Sequence, residues 1–173
     1  IDVSKSSVDE VSALIRGQIG KPVKIGIKRE GKKETLFFNV IRKTITINPV
    51  EWRVIDKKTA YIKISEFNDN ASRGVKAALA EFDKKNISNI VFDVRDNPGG
   101  YLSSVLDISS LVISEGIIVY VKDSKGNITS HSSFNSVVPR QLMVLVNKNS
   151  ASASEIFAGA VQDRGAGKVV GTR

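Results

Sequence analysis

The sequence predicts an α/β fold in which helices flank a buried sheet. Three observations carry that expectation. From Thr59 onward, short apolar runs alternate with amphipathic ones, the rhythm of strand followed by helix. The runs at 90–94 and 142–146 are almost wholly apolar, as strands covered on both faces are. Two of these runs pass straight into Gly- or Ser-rich turns that open helices, and ligands of α/β sheets favour the carboxyl ends of strands.

The elements follow in order. Ser7-Val8-Asp9-Glu10 is a capping box that starts a short helix through Val8, Val11, Leu14 and Ile15, with Gly17 as its stop. Two alternating runs, 23–28 and 35–41, joined by Glu30-Gly31-Lys32-Lys33, form a hairpin. Its lysines alternate with Val and Ile, the mark of a strand with one solvated and one buried face. One helix and one hairpin are too little to fold alone. A connector with short extended pieces runs over 43–58. Tyr61-Ile62-Lys63-Ile64 is a strand, and Asp69 or Asn70 caps a helix that presents Val75, Leu79 and Phe82 on one face. After the strand at 90–94, Asn97-Pro98-Gly99-Gly100 turns into a helix through Leu102, Val105, Leu106, Ser109 and Val112. A second hairpin, 116–121 with 127–131, turns at Asp123-Ser124-Lys125-Gly126. The strand at 142–146 leads through a loop to a helix at 152–164, and Lys168-Val169-Val170 begins a last strand.

Composition narrows the function. With 41% hydrophobic residues over 173 positions, disorder is excluded. The absence of Cys excludes disulfides and Cys-based zinc sites, and a single His excludes a His-rich metal centre. The longest apolar stretches are of strand length and too short to span a bilayer. The sequence opens at Ile1 on a polar segment, without the pattern of a cleavable signal. The net charge of +8 is concentrated in residues 1–60, where 13 Lys/Arg face 7 Asp/Glu. Without aromatic interleaving for base stacking, that excess reads as solvated strand face and not as a nucleic-acid site.

Chemistry could reside at the two strand–turn–helix junctions. In Asp93-Val94-Arg95-Asp96-Asn97-Pro98-Gly99-Gly100 the paired glycines permit a sharp turn that offers N–H groups to an oxyanion, although an ordinary tight turn explains them as well. In Asn149-Ser150-Ala151-Ser152-Ala153-Ser154-Glu155 a serine sits at the positive end of a helix. Taken alone, Ser152-x-x-Glu155 is a capping box that needs no chemistry. His131, the only histidine, reads as a surface residue of a polar strand, which argues against a Ser-His-Asp triad. A lysine base must be buried and neutral, and Lys148 and Lys168 lie in polar or glycine-rich settings.

Together the two junctions, the second continuing through Ile156 to Ala158-Gly159-Ala160-Val161-Gln162-Asp163, resemble the carboxyl-terminal processing (tail-specific) proteases of peptidase family S41. The resemblance implies a crotonase/ClpP-like protease core over 59–173, opened by Tyr61-Ile62-Lys63-Ile64-Ser65-Glu66-Phe67. It also implies a partial PDZ domain (its C-terminal half) over 1–42, with 43–58 as connector. By the same resemblance Ser152 is the nucleophile of a Ser–Lys dyad, and Ala153 with Gly99 or Gly100 supplies the oxyanion-hole amides. Ser150 and Ser154 are scaffold, and Glu155 caps the helix. No cofactor or metal is implied. The implied partners are protein or peptide substrates with free C-termini, in an extracytoplasmic compartment, with no nucleic acid. Homo-oligomerisation and a membrane anchor in the full-length protein stay open.

The family's lysine follows the Val-Val-Gly strand in a Gly-Lys-Gly motif, whereas this sequence ends at Gly171-Thr172-Arg173. The expectation is therefore an internal portion of such a protease, lacking its base and inactive as written. Two alternatives remain: a non-catalytic peptide-binding or scaffold member of the family, and an acyl-thioester enzyme of crotonase type.

Overall fold

Residues 1–44, 48–133 and 135–172 are described by a computed structural model. They divide into two units, Ile1–Ile47 and Asn48–Arg173. Residues 45–47 of the expected connector, and Arg173, lie outside the described residues.

In the first unit, helix α1 (Val8–Ile15) begins as its capping box requires. The Ser7 amide donates to the Glu10 carboxylate at 2.8 Å, and the Glu10 amide donates to Ser7 Oγ at 3.3 Å. Its end differs from expectation. Arg16 turns the chain into extended backbone, and Gly17 does not adopt the left-handed conformation of a glycine stop. Gly17 instead leaves room for Arg42, whose guanidinium donates to the carbonyls of Ile15 (2.7 Å) and Pro22 (3.2 Å). A Cβ at position 17 would lie 2.9 Å from that guanidinium carbon.

Strands β1 (Pro22–Ile27) and β2 (Leu36–Ile41) pair antiparallel as a hairpin. The expected buried face is incomplete: Val23 and Ile25 are half-buried, and Phe37, Phe38, Val40 and Ile41 are exposed. A helix and a two-stranded ribbon supply no second layer to close over that face.

The second unit holds a five-stranded sheet of order β3-β4-β5-β8-β9. β3 (Val50–Val54) lies within the stretch expected to be connector and pairs antiparallel with β4 (Thr59–Ile64). β5 (Asn89–Asp93), β8 (Gln141–Val146) and β9 (Gly167–Gly171) continue the sheet in parallel. Helix α2 (Asp69–Lys84) joins β4 to β5, α3 (Leu102–Val112) follows β5, and α4 (Ala153–Asp163) joins β8 to β9. The cap of α2 is Asn68, and not Asp69 or Asn70 as expected. Its Oδ1 accepts from the amides of Asn70 and Ala71 at 3.0 and 3.1 Å. A separate hairpin, β6 (Gly116–Lys122) with β7 (Ile128–Ser133), packs against α3 and α4. On β7, His131 is half-buried opposite Val119, less exposed than the sequence suggests.

The helices cover one face of the sheet, not both. α2 packs on β3 and β4, α4 packs on β8 and β9, and α3 packs between those two helices. Beneath them Ala60, Ile62, Ile64, Ile90, Phe92, Leu142 and Val144 are buried. On the other face Val91 is half-buried, and Met143 and Val170 are exposed. An apolar run does not by itself say that both faces are covered, because side chains of one strand alternate between faces.

Candidate functional site

β5 and β8 are far apart in sequence but adjacent and parallel in the sheet, with Asp93 in register with Leu145. Their carboxyl ends therefore release the two junctions side by side. Hydrogen bonds fasten one loop to the other. The Asp96 amide donates to Asn147 Oδ1 at 3.0 Å, while Asn147 Nδ2 and Asn149 Nδ2 donate to Asp96 Oδ1 at 2.9 and 2.7 Å. Those two amide side chains hold the Asp96 carboxyl below the ordinary carboxylate range, Asn149 contributing the larger share.

The three serines differ sharply. Ser150 Oγ donates to the Val94 carbonyl at 2.8 Å, and Ser154, fully buried, donates from Oγ to the Asn97 carbonyl at 2.9 Å. Both fasten the helix-opening loop to the turn after β5. Ser152 is exposed and stands at the head of α4 with φ 54° and ψ −114°. For a residue with a Cβ that conformation is strained, by about 1–3 kcal/mol.

The capping reading is met on the Glu155 side, whose carboxylate accepts from the Ser152 amide at 2.7 Å. The Glu155 amide faces the Ser152 side chain and donates to the Ser152 carbonyl at 3.0 Å.

The glycine turn lies against this serine. Gly99 has φ 110°, and a Cβ there would sit 2.7 Å from Ser152 Cβ and 3.0 Å from the Ala153 nitrogen. Gly100 has φ 141°, and its Cβ would overlap the Phe67 carbonyl oxygen. That close approach is a bridge between chain segments, in which the Phe67 amide donates to the Gly99 carbonyl (2.8 Å) and the Tyr101 amide to the Phe67 carbonyl (2.7 Å). The Gly99 amide donates to Asn97 Oδ1 at 2.8 Å. Among the described residues, the amides of Gly100 and Ala153 have no hydrogen-bond acceptor. Beneath the turn, Phe157 of α4 packs edge-on against Phe92 at 5.1 Å and against Phe67 at 6.2 Å.

Asp93 anchors the start of the same turn. It is buried, accepts from Tyr61 Oη at 2.6 Å, and takes a two-pronged pair from Arg95 at 2.9 and 2.5 Å. Burial alone raises its pKa, but the hydrogen bonds from Arg95 and Tyr61 outweigh burial and hold it at about 2. An unfolded Asp titrates near 3.9. The depressed folded value therefore contributes stability that is fully present above about pH 4 and is lost as pH falls toward about 2, in all about 2 kcal/mol. In thermal melts the wild type is expected to lose stability over that window by more than Asp93→Asn does. Equal losses would show that Asp93 does not brace the turn.

Neither lysine considered as a base suits the role. Lys148 and Lys168 are exposed, as is every other lysine of the chain. Among the described residues no cluster of His, Asp and Glu could hold a metal ion, and no helix is long and apolar enough to cross a membrane. A cavity of about 620 Å³ lies at the other end of the sheet, against Thr59, Asn89, Gln141 and Gly167. Sequence reading missed Asn97 as a junction between the two loops. It marked the residue only as a turn former before Pro-Gly-Gly, because nothing local pairs it with positions 151 and 154.

A model of "Peptidase family S41" matches residues 58–173. The carboxyl-terminal-processing protease of Picosynechococcus sp. is 34% identical over 177 aligned positions, covering 100% of this chain and 43% of that protein. The chloroplastic carboxyl-terminal-processing peptidase 2 of Arabidopsis thaliana is 34% identical, covering 91% of this chain and 32% of its own length. Among solved structures, the photosystem II D1 C-terminal processing protease superposes with a TM-score of 0.67 at 27% identity, covering 96% of this chain and 47% of that one. The chain thus spans less than half the length of these relatives.

Proposed function

The chain belongs to peptidase family S41, and from that premise we propose that it carries the nucleophile and oxyanion hole of a serine endopeptidase that cleaves proteins near their C-termini. The observation that carries the reading is the strained, exposed Ser152 at the head of α4, set against a glycine turn and beside two amides without acceptors. Ser152 Oγ attacks the scissile carbonyl, and its proton passes to a base. The oxyanion that forms is met by the N–H groups of Gly100 and Ala153. The base returns the proton to the departing amine, and water then hydrolyses the acyl-enzyme. Of the two candidate glycines, Gly100 is preferred, because the Gly99 amide already serves Asn97.

The base is a lysine contributed by a stretch of the relatives' length that this chain does not span, since every lysine present is exposed. The 173 residues alone are therefore inactive. Residues 59–173 are the crotonase/ClpP-like core. Residues 1–42 are the C-terminal half of a PDZ domain, whose exposed Phe37, Phe38 and Val40 await the other half. Substrates present a free carboxylate, which backbone amides can capture. The compartment is extracytoplasmic. A purely scaffolding role leaves the strain at Ser152 without a purpose.

The test is a pair of peptides, identical but for a free or amidated C-terminus, offered to the intact protein. The free-acid peptide is expected to be cleaved with a kcat/KM at least about tenfold higher. Equal rates would remove C-terminal selectivity from the proposal.

A further inference from the structure

The residue that sets the two halves of this site against each other is, we propose, Asn97, acting as a positioning residue for the oxyanion hole. The inference rests on the reading of Ser152 above and adds a role that the nucleophile and amides do not contain.

Asn97 is fully buried and uses nearly every polar atom it has. Its Nδ2 donates to the Ile64 carbonyl at the end of β4 (2.8 Å), and its Oδ1 accepts from the Gly99 amide (2.8 Å). Its own carbonyl accepts twice, from the Ala151 amide (3.1 Å) and from Ser154 Oγ (2.9 Å). One residue thus ties the last residue of β4, the glycine turn, and the chain on either side of the exposed serine, at Ala151 and Ser154. The backbone carbonyl places the Ser152 loop, and the side chain places the Pro98–Gly99 peptide, one link before the peptide that carries the Gly100 amide. By occupying the Gly99 amide, Oδ1 fixes the peptide from which the next one departs; the Phe67 amide holds that next peptide at its Gly99 carbonyl, and its Gly100 amide is left without an acceptor. Asn suits this because its side chain carries a donor and an acceptor on one rigid plane. A residue lacking either end would leave a buried carbonyl or a buried amide unmatched.

This differs from general support of the fold. The core beneath is held by the rings of Phe67, Phe92 and Phe157, whereas the Gly99 amide has its acceptor in Asn97 Oδ1. What Asn97 controls is the distance and direction of an amide relative to a serine, the quantity on which transition-state stabilisation depends.

The experiment compares Asn97→Asp and Asn97→Ala in the intact protein, each scaled to its folded fraction by circular dichroism. In Asn97→Asp the ionised carboxylate can still accept from Gly99 but faces the Ile64 carbonyl without a proton. At about pH 8, kcat is expected to fall roughly 10- to 100-fold with KM nearly unchanged. Affinity for a peptide boronic acid, which forms a tetrahedral anion on the serine, should fall in parallel. Protonating the new carboxyl restores the donor toward Ile64. The ratio of variant to wild-type kcat should therefore climb as pH is lowered toward about 5. Asn97→Ala, which has no proton to regain, should show the loss without the pH-dependent recovery.

A kcat per folded molecule close to wild type in both variants, with boronate affinity intact, would overturn the positioning role. So would a loss in Asn97→Asp that stays constant with pH. If Ser152→Ala itself leaves cleavage intact, it is the parent reading that fails, and the two failures are told apart by that control.

Discussion

Ser152→Ala in the intact protein is expected to lower kcat by at least about 10⁴-fold, since removing a nucleophile from a serine peptidase costs on that order or more. The two flanking serines provide the control. Ser150→Ala and Ser154→Ala each remove a hydrogen bond to the turn after β5, and each should lower stability by about 1–3 kcal/mol. Measured per folded molecule, neither should approach the loss at Ser152. Stability should move in the opposite direction at Ser152. The backbone there has φ 54° and ψ −114°, a conformation that glycine accepts without penalty. Ser152→Gly should therefore raise the melting temperature above that of both wild type and Ser152→Ala, by a margin equivalent to about 1 kcal/mol. Under the proposed mechanism the strain at Ser152 is kept for the reactivity of its hydroxyl. If Ser152→Ala still cleaves peptide at wild-type rate, the nucleophile lies elsewhere.

The second large effect belongs to the glycine pair, and the two positions should fail in different ways. A Cβ at Gly99 would press on Ser152 Cβ and on the Ala153 nitrogen. Gly99→Ala is expected to fold, with the serine and the Ala153 amide displaced, and to lose about 10²–10³ in kcat. A Cβ at Gly100 would meet the backbone of Phe67, with no flexible side chain to give way. Gly100→Ala should therefore break the bridge between the Phe67 segment and the turn, and cost more in stability than Gly99→Ala. Denaturant melts and single-turnover assays on the two variants separate these outcomes. An active, stable Gly99→Ala would mean that the turn does not touch the reacting centre.

Most elements of the second unit were legible because their signals are local. Alternation marked β4, the run at 90–94 marked β5, and the spacing of Val75, Leu79 and Phe82 marked the buried face of α2. Where sequence reading failed, the deciding interaction came from elsewhere in the chain. β3 reads in the sequence only as an extended piece of the connector, because a lone run around Trp52 has little strand character until it pairs with β4. The sheet was expected to be covered on both faces because apolar residues fill both sides of β5, yet Val91 is only half-buried. Gly17 has the sequence position of a left-handed stop, whereas it is Arg42, distant in sequence, that requires the space.

By itself the sequence determined the α/β class, the order of strands and helices from β4 onward, and the two junctions where chemistry could reside. Each of these follows from hydrophobic period, caps and turn residues acting over a few positions. Only the tertiary structure decided how three similar serines divide into two anchors and one exposed hydroxyl. The same holds for which glycine keeps an amide without an acceptor, and for the place of Asn97 among them. The physical reason is the parallel pairing of β5 with β8, which brings distant loops into hydrogen-bonding distance. Once there, polar groups of one loop pair with those of the other, while the amides of Gly100 and Ala153 stay without an acceptor.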